Sequence, residues 1–263
     1  MLTKVGDDPF GSYLLSALSD FGVDTRFVGT HPTLRTPLAF AALDPPEDPQ
    51  LLFYREPRGP DMTIEASPDV LTAAAEVPVL WISASALAED PSRSTVAALF
   101  AARGRRAHTV LDLDYRPMFW TSTDDARRQI GAAVDDATVA VGNRTECEIA
   151  VGTSDPDAAA SLLLERGVTL AVVKMGGDGV LVAWPGDRVQ VPPVKIEVVC
   201  GLGAGDAFGG ALCHGLLLGW DPERAVTFAN AAGAYVAGQL ACADAMPSPT
   251  QVQGLLEGVG GGA

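Results

Sequence analysis

The residues Gly201-Leu-Gly-Ala-Gly205 and the carboxylate that follows them, Asp206, have the types and spacing of a site that handles an anion. Small residues let the backbone approach a ligand closely. The N–H groups that open a helix have no intrahelical partner and point outward beside the positive end of the helix dipole. A phosphate suits that place. A carboxylate there repels a phosphate unless it has a chemical task, such as taking a proton from an attacking hydroxyl. Asp is equally at home as a helix cap. A lone glycine-rich turn is a weak signal, so this stretch by itself leaves both readings open.

Other polar residues fall just after apolar segments, where open parallel sheets bind ligands. Asp112, Asp114 and Arg116 follow Val110-Leu111, and the same stretch can equally be a helix-capping loop with an aromatic anchor. Asn143 and Glu146 follow the segment 138–141 at capping-box spacing; the same pair can reach a hydrated Mg²⁺ and phosphates, because Mg²⁺ keeps several waters and takes few protein ligands. Lys174 precedes the turn Met175-Gly-Gly-Asp-Gly179, where it either contacts phosphates or solvates the turn. Arg55 and Arg58 lie in a charged, proline-stiffened stretch, 54–62, that can bind a carboxylate or phosphate or form a solvated loop.

The elements that must position these residues alternate regularly. Helical spacing at 12–21 precedes two apolar strands, 36–43 and 51–55, joined by the proline-rich 44–50 as a hairpin set apart from the main sheet. From residue 67 onward, helices at 67–75, 91–103, 124–134 and 155–166 alternate with strands at 77–83, 109–113, 138–141 and 168–174. Buried apolar strands between amphipathic helices predict a parallel sheet covered on both faces. A hairpin (180–184 and 188–191), the helix opened by the glycine turn, and helices at 222–239 and 249–257 complete the chain, with a disordered tail expected over 258–263.

The 263 residues are 48% hydrophobic, enough for one large α/β domain. A net charge of −15 excludes a nucleic-acid surface, so an anionic substrate must be held by local cations, helix termini or a divalent metal. Cys147, Cys200, Cys213 and Cys242 show no metal-ligand spacing. Without a signal peptide or an apolar run of about 18 residues, a cytoplasmic location and no membrane partner are expected.

Asn143-Arg-Thr-Glu146, Met175-Gly-Gly-Asp-Gly179, Gly203-Ala-Gly-Asp206 and Phe228-Ala-Asn-Ala-Ala232, in this order, resemble the ribokinase (PfkB) carbohydrate kinase family over essentially the whole chain. The resemblance implies a single ribokinase-like domain over 1–263: three α/β/α layers, a mostly parallel central sheet and a small β lid at about 36–55. It also implies an ATP-dependent kinase with Asp206 as general base and the N–H groups of Gly203, Ala204 and Gly205 as an anion hole. Asn143 and Glu146 would organise Mg²⁺ and the phosphates, with Glu146 as the metal residue. Lys174, Gly176 and Gly179 would lie along the nucleotide and Asn230 near the adenine.

The stretches 53–57, 111–120, 141–148, 201–215 and 244–247 are similar to those of members that phosphorylate the primary hydroxyl of a keto-deoxy sugar acid, 5-dehydro-2-deoxy-D-gluconate. On that resemblance Arg55, Asp112, Asp114 and Arg116 surround the sugar, the guanidinium groups holding its carboxylate. Within the same chemistry the alternatives are 2-keto-3-deoxygluconate or another sugar. From another class, the alternative is a truncated, non-catalytic fragment that binds nucleotide or sugar. A homodimer through the lid is compatible with the apolar lid strands.

Two departures stand out. Relatives usually carry Asp or Asn where this chain has Cys200, a position linked to a monovalent cation; a neutral thiol cannot replace that oxygen ligand, so activation by K⁺ is not expected. Relatives also start about fifty residues earlier, with a first strand and a Gly-Gly-x-x-x-Asn segment. A sheet without that strand keeps unpaired backbone groups beside a groove in the core. The start at Met1 is therefore expected to be internal to a longer chain.

Overall fold

The computed structural model describes residues 1–47 and 49–260. Strand β1 (Leu2–Gly6) leads into helix α1 (Pro9–Asp20) and strand β2 (Phe27–His31), and β3 (Leu38–Ala42) and β4 (Gln50–Tyr54) follow. Next come α2 (Pro68–Glu76), β5 (Leu80–Ser83), α3 (Ser92–Arg103), β6 (Thr109–Asp112), α4 (Thr123–Val134), β7 (Val139–Asn143), α5 (Arg144–Val151), α6 (Pro156–Glu165) and β8 (Leu170–Lys174). The chain ends with β9 (Val180–Trp184), β10 (Asp187–Val191), α7 (Ala204–Leu217), α8 (Pro222–Ala237) and α9 (Pro249–Gly260).

The central sheet has the order β10-β9-β8-β7-β6-β5. Helical crossovers make β5, β6, β7 and β8 parallel, whereas the short turn after Lys174 and the next hairpin make β9 and β10 antiparallel. Alternation of side chains divides the strands between two layers. Leu111, Leu113, Ala140, Ala171 and Val173 pack with α2 to α6. Val110, Val139, Val141, Val172 and Val182 pack with Phe208, Leu212 and Leu216 of α7 and Ala225, Val226 and Ala229 of α8. The expected three-layer arrangement is present.

Helix α9 closes at Gly260, and residues 261–263, the end of the tail expected over 258–263, lie outside the described residues. The helix is held by Val252, Leu255 and Leu256, which pack against the α7 and α8 side chains Ala207, Phe228 and Val236. That anchorage outweighs the low helix propensity of the terminal glycines.

Strands β1 and β2 pair in parallel as a separate sheet. Between β1 and β5 lies a cleft of about 700 Å³ walled by Leu2, Phe27, Val70, Leu80, Trp81 and Leu99 among others. Among the described residues, the bordering edges of β1 and β5 pair with no further strand, so the groove anticipated in the core is present.

The lid is the antiparallel hairpin β3–β4, at the expected place. Its root is fixed by Asp8, whose carboxylate accepts from Gly11 N (2.9 Å) at the start of α1 and from Thr36 N (2.8 Å). These backbone donors, Thr36 first, hold the Asp8 carboxyl below its usual range. Thr36 Oγ1 in turn accepts from Gly6 N at 2.9 Å.

Candidate active site

Helix α7 begins with Gly203 as N-cap in the left-handed region, φ 79° and ψ −11°. That conformation suits glycine and turns the chain sharply into the helix. Asp206 sits in the first turn and makes no hydrogen bond or ion pair among the described residues, so it is not occupied as a cap. The N–H groups of Gly203, Gly205 and Asp206 have no acceptor among the described residues, and that of Ala204 has only a long contact, 3.4 Å, to Gly201 O. The helix mouth thus offers free donors to an anion.

Packing fixes that mouth relative to the sheet. Phe208, Leu212 and Leu216 lie on the valine face of the strands. Gly209 permits the closest approach: a Cβ there would stand 2.8 Å from the indole of Trp81 on β5. Partial burial pushes the Asp206 carboxyl above its ordinary pKa, with help from Asp114 and against the opposing charges of Arg116 and Lys174.

At the carboxyl end of β6, Asp114 accepts from Ser83 Oγ at 2.8 Å and pairs with Arg116 Nε at 2.9 Å. Among the described residues the terminal nitrogens of Arg116 are free, and the residue is exposed. Asp112 lies lower, partly buried, with a carboxyl pushed up to about 7, chiefly by desolvation.

Arg55 has a different setting. Its Nη2 stands 2.9 and 2.8 Å from the two oxygens of Asp61, and its guanidinium lies 4.4 Å above the ring of Phe119. Phe53 of the lid meets the same ring edge-on at 5.4 Å. Together these contacts tie the lid to the loop that carries Arg116.

Asn143 and Glu146 form a complete capping box: Glu146 Oε2 accepts from Asn143 N at 2.6 Å and Asn143 Oδ1 from Glu146 N at 2.9 Å. The other Glu146 oxygen has no protein donor among the described residues. Among them no cluster of three or more His, Cys, Asp or Glu side chains gathers around a metal position. One free carboxylate oxygen fits an ion that keeps most of its waters, as Mg²⁺ does.

Lys174, Gly176, Gly179, Ala204, Gly205 and Asn230 line one cavity of about 550 Å³. Asn230 is oriented there by a bond from its Nδ2 to Pro192 O, 2.9 Å. Asp112, Asp114 and Arg116 gather outside this cavity at the end of β6, and Arg55 directly follows β4 of the hairpin.

Sequence reasoning missed two contributors. Glu47, at the lid tip, is part of the cavity wall, and its neighbour Pro46 accepts through its carbonyl from Gly201 N at 2.8 Å. The only sequence signal was the stiff run of prolines in 44–49. Ser83, which orients Asp114, was legible only as the last residue of a strand.

The profile described as pfkB family carbohydrate kinase matches residues 1–249. The chain belongs to the pfkB family of carbohydrate kinases. As a pfkB kinase it is a phosphotransferase that acts on a sugar hydroxyl. Among curated relatives, the 5-dehydro-2-deoxygluconokinase of Shouchella clausii is 31% identical over 261 residues, 97% of this chain and 79% of that protein. That of Photobacterium profundum is 32% identical over 252 residues, 93% of this chain and 76% of that protein.

Among solved structures, the fructokinase of Vibrio cholerae O395, in a form with fructose, ADP and calcium bound, superposes with a TM-score of 0.85 at 26% identity. The match covers 97% of this chain and 84% of that one. The fructokinase of Xylella fastidiosa with bound ATP shares the fold, with a TM-score of 0.83 at 20% identity over 98% of this chain and 85% of that one. This pfkB kinase therefore has the ribokinase-like fold, with its six-stranded, mostly parallel sheet between helices.

Proposed function

We propose that this pfkB kinase transfers the γ-phosphoryl group of ATP to the primary hydroxyl of a keto-deoxy sugar acid, 5-dehydro-2-deoxy-D-gluconate, in the cytoplasm. The observation that carries the reading is the uncapped Asp206, standing among free N–H groups at the mouth of α7. Asp206 takes the proton of the attacking hydroxyl, while the N–H groups of Gly203, Ala204 and Gly205 receive the oxygens of the transferring group. Lys174, Gly176 and Gly179 hold the nucleotide and Asn230 borders its base. Glu146, beside Asn143, would hold Mg²⁺, which would supply neutralisation of phosphate charge. No monovalent cation enters the proposal, because Cys200 presents a buried thiol rather than an oxygen ligand.

The free edge of Arg116 supports an acidic substrate, since a guanidinium with open terminal nitrogens can bind a carboxylate through two parallel bonds. Arg55 acts on the sugar side from the lid, braced by Asp61. Loss of one charge-assisted contact costs about 1.5–3 kcal/mol, so Arg116→Met is expected to raise KM for the sugar acid about 10–100-fold, with a smaller change in kcat. Coupled ADP detection over 5-dehydro-2-deoxygluconate, 2-keto-3-deoxygluconate, fructose and ribose tests the assignment. A neutral sugar with the highest kcat/KM, unaffected by Arg116→Met, would refute it.

The names of the curated relatives and the fit of Arg116 favour the first of these substrates. On the outer face of the lid, Phe40, Leu52 and Tyr54 are exposed, and Phe40 and Tyr54 stack edge-to-face at 5.4 Å. Such a surface supports a homodimer through the lid. Sedimentation velocity is expected to give twice the 27.3 kDa mass of the chain, reverting to the single mass in Phe40→Asp.

A further inference from the structure

Strands β5 and β6 end side by side, with Ser83 paired to Asp112. The chain just beyond β6 is still held to the sheet, since Leu113 N donates to Val141 O at 2.8 Å and the Leu113 side chain is fully buried. Asp114 is the next residue. Its carboxylate meets the end of β5, where Ser83 Oγ lies 2.8 Å from Oδ2.

Ser83 Oγ also stands 2.7 Å from Ser85 Oγ. A serine hydroxyl has one proton to give, and a carboxylate paired with a guanidinium can only accept. Ser83 therefore gives its proton to Asp114, and the contact between the two serines has to be donated by Ser85. The direction of the chain is fixed, Ser85 to Ser83 to Asp114, and each bond polarises the next toward the carboxylate.

The other oxygen of Asp114, Oδ1, lies 2.9 Å from Arg116 Nε. Both oxygens thus have a protein partner, which sets the plane of the carboxylate. Arg116 is held by one edge alone: its side chain is 45% exposed against 20% for Asp114, and its terminal nitrogens have no partner among the described residues. A long guanidinium side chain loses rotamer freedom when it grips a ligand, and one that is already held loses less.

We propose that Ser83, backed by Ser85, is a positioning residue that sets the preference for an acidic over a neutral sugar, acting through Asp114 on Arg116. The proposal rests on the reading of Arg116 as the partner of a substrate carboxylate. Asp114 is then a brace between Ser83 and Arg116 rather than a ligand of the sugar. A neutral sugar has no carboxylate for the terminal nitrogens to grip, so its use does not depend on the brace.

The test compares Ser83→Ala, Arg116→Met and the double variant in the coupled ADP assay, with 5-dehydro-2-deoxygluconate and with fructose. Ser83→Ala is expected to raise the KM for the acid about 3–10-fold, because a loosened Arg116 must be ordered on binding. Its kcat, its KM for ATP and its kcat/KM for fructose are expected to stay within about twofold. In the Arg116→Met background the same change is expected to add less than about twofold, because the group it positions is gone. Ser83→Thr, which keeps the hydroxyl, is expected to restore the KM for the acid. An unchanged KM in Ser83→Ala, a rise that persists in full without Arg116, or an equal loss for acid and fructose would overturn the proposal.

A second measurement does not need turnover. In the unliganded protein, the ¹⁵Nε order parameter of Arg116 is expected to fall in Ser83→Ala, while that of Arg188, paired with Asp157, stays the same. An unmoved order parameter at Arg116 would overturn the brace. A fallen one, in a protein whose KM for the acid is untouched by Arg116→Met, would uphold the brace and overturn the acidic substrate instead.

Discussion

Replacing Asp206 by Asn is expected to lower kcat about 10³-fold while leaving the affinity for ATP within about twofold. The amide keeps the shape and the polar contacts of the side chain but cannot accept the proton of the sugar hydroxyl. The N–H groups of the α7 mouth and the walls of the nucleotide cavity remain as they were, so binding of ATP, measured by calorimetry, changes little.

The pH profile gives an independent check on the same residue. Burial and Asp114 raise the Asp206 pKa from 3.8, and a general base works only when deprotonated. Activity therefore falls as pH drops through the raised pKa, and the acid limb of kcat/KM lies above the usual carboxylate range. That limb is expected to disappear from the residual rate of Asp206→Asn. Near-normal turnover in this variant would remove Asp206 from the role of base.

Replacing Gly203 by Ala has the next largest expected effect, a loss of about 100-fold in kcat, because the donors proposed to receive the transferring group would be displaced together. The left-handed backbone at Gly203 costs any L side chain about 1–2 kcal/mol. Space is also lacking: a Cβ there would stand 3.1 Å from Cys242 Cβ and 3.2 Å from its Cα. The chain can relieve both only by rotating the start of α7.

A fall in Tm of about 2–8 °C is expected to accompany that change. Gly210→Ala supplies the control on the same helix, because nothing lies within 4 Å of a Cβ there. Scanning calorimetry and steady-state kinetics on the two variants separate a damaged anion hole from a general effect of alanine. If Gly203→Ala keeps its kcat, the hole is not built from this turn.

The features legible in the sequence were those decided within a few residues. Val-rich strands between amphipathic helices gave the parallel sheet, because each crossover is local. The capping box at Asn143 and Glu146 follows from a spacing of three, and the glycine turn before Asp206 needs the positive φ that Gly203 adopts. The proline-rich break between two apolar runs gave the lid.

What escaped was decided through space. Nothing in the sequence couples Asp8 to Thr36, or the carbonyl of Pro46 to the amide of Gly201. The pairing of Arg55 with Asp61 and its stacking on Phe119 needed the fold to bring three loops together.

The bond from Gly201 N to Pro46 O joins the tip of the β3–β4 hairpin to the loop that ends at Gly203. Under the proposed reaction, a sugar that settles the hairpin would also settle the loop meant for phosphate, and a nucleotide that firms this loop would favour the same hairpin position by the same free energy. The two substrates would then bind cooperatively rather than independently.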